Sequence, residues 1–200
     1  MEHNTPNTPL VKKVTWGFFF LFFLLFLAYK PYERTVFIAH STFENLYLLY
    51  HFVITQTLGI VHEGGHGICY LLGCPEFITA LNGTVFQLLF PYLVGYYYKR
   101  RGNRLGYLIG IFFVGFSLQY TAWYMGTTYK GAVVSASESF LGVDGYHDFY
   151  KIFSILGVRE YYKGISTLTH LLAYGIMLYS LFSMWLLAFF EGKKPKLRRR

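Results

Sequence analysis

Charge is what this chain has least of. Asp, Glu, Lys and Arg together make up 14% of its 200 residues, while 54% are hydrophobic and 22% aromatic. Soluble domains carry about a quarter charged residues, so this composition excludes an ordinary water-soluble globule. Acidic groups are the scarcer sign, and the only two aspartates, Asp144 and Asp148, sit four positions apart. Cysteine is nearly absent. Cys69 and Cys74 cannot make a disulfide framework or a zinc knuckle, and the expectation is two small buried residues. There is no internal repeat and no phosphate-cradling glycine loop.

In place of charge the chain has long apolar runs. Stretches at 14–29, 46–72, 84–98, 105–126 and 165–190 approach or exceed the ~20 residues that cross a bilayer, although 84–98 is short for a full crossing. The expected fold class is all-α: a polytopic helical membrane protein with about five transmembrane helices and a short helix after residue 147. All 200 residues form a single integral membrane domain, with a metal-site core at about 46–160 and a basic tail at 191–200. Lys12 and Lys13 precede the first run, but no small-x-small cleavage site follows it, so an uncleaved anchor is expected. The connector at 73–83 holds Pro75 and the Asn82-Gly83 pair and reads as turn-rich.

The net charge of +8 is concentrated. Six cations fall in the last eight residues, and Lys99, Arg100, Arg101 and Arg104 form a basic hairpin. A basic tail directly after an apolar span marks a cytoplasmic end facing anionic lipid rather than a nucleic-acid site. Positive-inside counting places the hairpin and the C-terminus in the cytoplasm and the 73–83 connector outside, in a multi-pass protein of the cell (inner) membrane. Five crossings then put Lys12 and Lys13 outside, against the same rule.

The chemistry-bearing stretch is His62-Glu63-Gly64-Gly65-His66. HExxH on a helix sets two imidazoles at i and i+4 on one face, able to grip one Zn²⁺, with the intervening Glu63 as general base. With seven His and eight Glu in the chain, chance supplies the pattern roughly 0.01 times. Gly64, Gly65 and Gly67 cost helix stability, and either a neighbouring helix or a substrate approaching closely would account for them. Gln87 and Gln119 read first as amides bonding across helices. His170 reads as packed rather than as a ligand.

A catalytic zinc keeps three protein ligands and one open position, so His62 and His66 need a third partner. The segment Val143-Asp144-Gly145-Tyr146-His147-Asp148-Phe149 offers three. His147 is ranked first, with Asp144 or Asp148 as substitutes; the competing explanation is that one aspartate merely caps the helix at 148–157.

The HEGGHG run followed by Val-Asp-Gly-Tyr-His resembles the site-2 protease class of intramembrane metalloproteases. In that class a Leu-Asp-Gly element on a later helix supplies the third ligand, which in this register implies Asp144. Phe86-Gln87-Leu88-Leu89-Phe90-Pro91 and the Gly-x-His-Asp-aromatic element also resemble a less characterised bacterial branch of such membrane metallopeptidases, which implies His147 or Asp148. The resemblance covers roughly residues 55–160. It implies an intramembrane zinc metalloprotease acting on a membrane protein or peptide substrate within the lipid bilayer. A non-catalytic zinc-stabilised membrane scaffold or partner-binding protein is the alternative. A membrane di-iron oxidase needs roughly eight clustered ligands, more than this chain supplies, and a transporter would be expected to show an inverted repeat.

Overall fold

The computed structural model describes residues 8–27, 42–134 and 145–190. Six α-helices account for nearly all of them: α1 (Thr8–Leu27), α2 (Thr42–Leu72), α3 (Glu76–Arg100), α4 (Arg104–Gly126), α5 (Asp148–Ile155) and α6 (Tyr162–Phe190). Helix α3, the 3-10 extended α4 and the 3-10 preceded α6 are each long and apolar enough to cross a membrane. The outward faces of α3 and α6 are lined with exposed large apolar side chains such as Leu93, Val94, Leu171 and Leu178. In water such faces would be a liability; in lipid they are the expected solvent-matched surface.

The helices pack as antiparallel neighbours. Helix α4 lies against α6, tied at one end by Ser166 Oγ donating to the Ala122 carbonyl and towards the other by Ser180 Oγ donating to Leu108, both at 2.7 Å. Helix α4 meets α3 where Gly95 faces Gly110, and a Cβ added to Gly110 would fall 2.5 Å from the Gly95 Cα. Lipid gives apolar helices no hydrophobic reason to associate, so small residues that allow backbone contact carry the packing. Phe22, Phe112, Phe116, Met177, Leu181 and Met184 fill one core between α1, α4 and α6. A second core joins Ala80 of α3, Tyr120 and Tyr124 of α4, and Phe149, Ile152 and Phe153 of α5. That second core seats the short α5 against the membrane helices.

Three features differ from the expectations. Helix α3 starts at Glu76, directly after Pro75, and runs through the Asn82-Gly83 pair expected as a turn. Asn82 is held in the helix by a tertiary bond, its Nδ2 donating to the Gly65 carbonyl of α2 at 2.7 Å. Second, the segment before α5 contains a two-stranded antiparallel ribbon, β1 (Val133–Val134) with β2 (Gly145–Tyr146). Third, Cys69 and Cys74 are joined by a disulfide. The chain reverses at Gly73, whose φ of 66° favours glycine, and the Cys74 amide returns to the Cys69 carbonyl at 3.0 Å. This helix-ending turn brings the two thiols together. Asp144, the N-terminal tail and the basic C-terminal tail lie outside the described residues.

Candidate metal centre

Three elements converge on the HExxH face of α2. His62 and His66, one turn apart, point their Nε2 atoms at each other across 3.1 Å. Asp148, the first residue of α5, brings Oδ2 to 3.1 Å from His62 Nε2 and 3.2 Å from His66 Nε2. Among the described residues this is the group of three ligating side chains placed to hold one cation. Glu63 lies between the histidines on the same helix and is half-buried.

The outward nitrogens of both rings are already committed. His62 Nδ1 meets Gln87 Oε1 at 3.0 Å, and His66 Nδ1 meets the Thr79 carbonyl at 2.7 Å. Both partners are pure acceptors at those atoms, so each Nδ1 carries the proton and each Nε2 keeps its lone pair. This is the arrangement that fixes a metal-ligating histidine, with Nδ1–H donated to an oxygen behind the ring. Ionised, the Asp148 carboxylate is a third acceptor aimed at those two lone pairs.

Three acceptors with no donor among them, nearly buried, repel one another until a cation sits between them. One proton relieves a single pair; a divalent ion relieves all three. Ligands about 2.0–2.1 Å from a tetrahedral zinc lie roughly 3.3–3.4 Å apart, close to the 3.1–3.2 Å edges found here. The nitrogen and oxygen donor set also suits zinc.

Glycine makes room for this triangle. A Cβ on Gly83 of α3 would lie 2.5 Å from His66 Nε2 and 2.8 Å from His62 Nε2. A Cβ on Gly65 would lie 2.5 Å from the Asn82 carbonyl oxygen. The second glycine of HEGGH thus serves helix packing, whereas Gly64 and Gly67 face open space.

The structure brings Asp148, not His147, to the imidazole pair. His147 is the N-cap of α5, its Nδ1 accepting from the Tyr150 amide at 3.2 Å. The proton is then on Nε2, which donates to Thr127 Oγ1 at 3.1 Å, and that hydroxyl donates on to the Tyr124 carbonyl. With both ring nitrogens occupied and the ring stacked on Tyr124 at 4.2 Å, His147 has no lone pair to offer a metal. The roles expected of the two residues are exchanged: the histidine caps, and the aspartate is left to face the imidazole pair. His170 also lies elsewhere, hydrogen-bonded to Gln119 between α4 and α6.

Tyr124 was not anticipated. Its hydroxyl accepts from the Asp148 amide at 3.2 Å, and its ring lies edge-on to His62 with centroids 6.4 Å apart. It holds the start of α5 against the bundle, and nothing in an aromatic-rich span distinguishes it from its neighbours. Outside the centre, Lys151 pairs with Glu76 at 2.8 Å and ties α5 to the first turn of α3. No family model, curated protein or solved structure matches this chain.

Proposed function

We propose that this protein is an integral membrane zinc metalloprotease of the HExxH type, crossing the bilayer about five times and hydrolysing a peptide bond in or near a membrane-embedded segment. The observation that carries the reading is the convergence of His62 Nε2, His66 Nε2 and Asp148 Oδ2 beside Glu63, with both Nδ1 protons drawn away to oxygen. Zinc, when bound by those three atoms, supplies a Lewis acid that polarises a carbonyl and lowers the pKa of water towards ~7.

The chain's own residues do the rest. Glu63 accepts the proton of the attacking water and returns it to the leaving amine as the peptide bond breaks. Gln87 and the Thr79 carbonyl keep the two imidazoles in register, and Tyr124 holds Asp148 in place through its backbone. The half-buried setting strengthens each electrostatic contact relative to water. A helical substrate has its carbonyls tied to i+4 amides, so the protease would take segments that are already unwound or rich in glycine.

Replacing Glu63 by Gln tests the reading. The variant retains zinc, because no ligand is touched, and hydrolysis of a co-reconstituted membrane substrate falls by about 10²–10⁴-fold. Unchanged function in a zinc-loaded Glu63→Gln protein would instead support a zinc-stabilised scaffold.

A further inference from the structure

We infer that the metal centre opens towards the extracytoplasmic, disulfide-forming side of the membrane, and that its substrates are unwound segments presented at that face. The inference rests on the protease reading for its substrate and on independent observations for its direction.

The ends of the bundle differ in chemistry. At one end the α3–α4 hairpin exposes Lys99, Arg100, Arg101 and Arg104, and the sequence holds no Asp or Glu between Glu76 and Glu138. Helix α6 runs antiparallel to α4, as its bonds to Ala122 and Leu108 require. Its last residue, Phe190, therefore lies at that same end, and the six cations of the final eight residues follow it in sequence. Cations gathered around short loops and span ends mark the cytoplasmic side.

The other end carries Lys130, Lys151, Arg159 and Lys163, but these are mixed with Glu76, Asp148 and Glu160, and Lys151 is paired with Glu76. It also carries the Cys69–Cys74 disulfide at the turn from α2 to α3. Disulfides form and persist on the oxidising side and are rare where glutathione keeps thiols reduced. Charge and redox chemistry thus orient the bundle in the same sense by unrelated physics.

The metal ligands belong to the disulfide end. His66 is three residues, about one turn, before Cys69 on α2. Thr79, whose carbonyl orients His66, also donates its hydroxyl to the Cys74 carbonyl at 3.3 Å. Asp148 opens α5, which follows the β ribbon beyond the end of α4. A segment reaching this centre by the shortest route arrives from outside, without passing the basic hairpin.

Thiol mapping in intact cells tests the direction. In the wild-type background, where the two native cysteines are paired, Tyr161→Cys is exposed at the start of α6 and Asn103→Cys in the basic hairpin. A membrane-impermeant maleimide should label Tyr161→Cys in intact cells and Asn103→Cys only after permeabilisation, while Cys69 and Cys74 stay unalkylated until a reductant is added. The reverse pattern overturns the orientation. Two single-pass test proteins, with a glycine-rich segment at the outer or the inner membrane boundary, then test the substrate. Cleavage of the outer one alone, lost in Glu63→Gln, is the expected result. Cleavage of the inner one alone overturns the substrate assignment and leaves the protease reading standing. Cleavage of neither, with outward labelling intact, overturns the protease reading and leaves the orientation supported.

Discussion

Two glutamine–histidine pairs lie within this helical bundle, and only one of them belongs to the proposed metal centre. Gln87 of α3 accepts from His62 of α2, and Gln119 of α4 bonds His170 of α6 through the same pair of atoms, Oε1 and Nδ1. Both amides are buried, and in both the Nε2 has no partner among the described residues. The difference lies on the far side of the ring. His62 Nε2 faces His66 and Asp148, whereas His170 belongs to no group of three ligating side chains among the described residues. A Gln–His bond between membrane helices is thus not a signature of function in itself. It becomes one when the opposite nitrogen meets further acceptors.

The comparison breaks most visibly at the ligands. Asp148→Ala and His62→Ala should each abolish retention of zinc by the purified protein, while His170→Ala should retain the wild-type stoichiometry by elemental analysis. Zinc lost in His170→Ala, or kept in Asp148→Ala, would end the assignment of the centre. Gly83→Ala should act almost as strongly without touching a ligand. Its new Cβ would sit 2.5 Å from His66 Nε2 against a helix backbone that has little room to move. Gly64→Ala, two residues before His66 with open space around its Cβ, should keep its zinc. It should also gain up to about 1 kcal/mol of helix stability.

A smaller effect separates the two glutamines. Gln87→Leu removes the oxygen that holds the His62 tautomer, and loss of such a partner lowers metal affinity by roughly 10–100-fold. Competition with a chromophoric zinc chelator would read that shift. Gln119→Leu should leave the chelator titration unchanged.

Much of this was legible in the sequence, and what was not has definite causes. His62, Glu63 and His66 can be read directly because i and i+4 share a helix face whatever the helix packs against. The third partner could be narrowed to the five residues 144–148, but His147, ranked first among them, is not the one that meets the imidazole pair. The choice between His147 and Asp148 was made by Thr127 and Tyr124, about twenty residues upstream, whose positions engage the histidine and the Asp148 amide. Aspartate capping a helix is the commoner pattern, and here the tertiary partners invert it. The start of α3 was hidden for a similar reason: Asn82-Gly83 has turn chemistry locally, yet its amide and its missing Cβ serve contacts with α2. The disulfide depends on the reversal at Gly73, and two cysteines five apart do not announce it.

His147 sharpens the comparison further, since it lies next to the proposed ligand Asp148 and is itself committed to capping α5. His147→Ala should leave zinc bound but lower stability by about 0.5–2 kcal/mol, the usual cost of losing an N-cap. His147→Asn, which can accept from the Tyr150 amide in the same way, should recover most of that loss in a denaturant titration. If His147→Asn instead lost zinc while His147→Ala kept it, the capping account would fail.

The smallest expected effect concerns the pair that holds no metal. Single replacements at Gln119 or His170 leave the partner group in apolar surroundings without its bond, so each overstates what the pair is worth. The double-mutant cycle with Gln119→Leu and His170→Leu removes that bias. Interhelical hydrogen bonds in membrane proteins couple by about 0.6 kcal/mol on average, with a ceiling near 1.7. The cycle should fall in that range, with zinc content constant at every corner. A coupling well above it, or one that changes when zinc is stripped from the α2 site, would mean that the second Gln–His pair senses the first. The distinction between helix glue and metal support would then have to be drawn across the whole α3–α4–α6 interface rather than at the far nitrogen of a single ring.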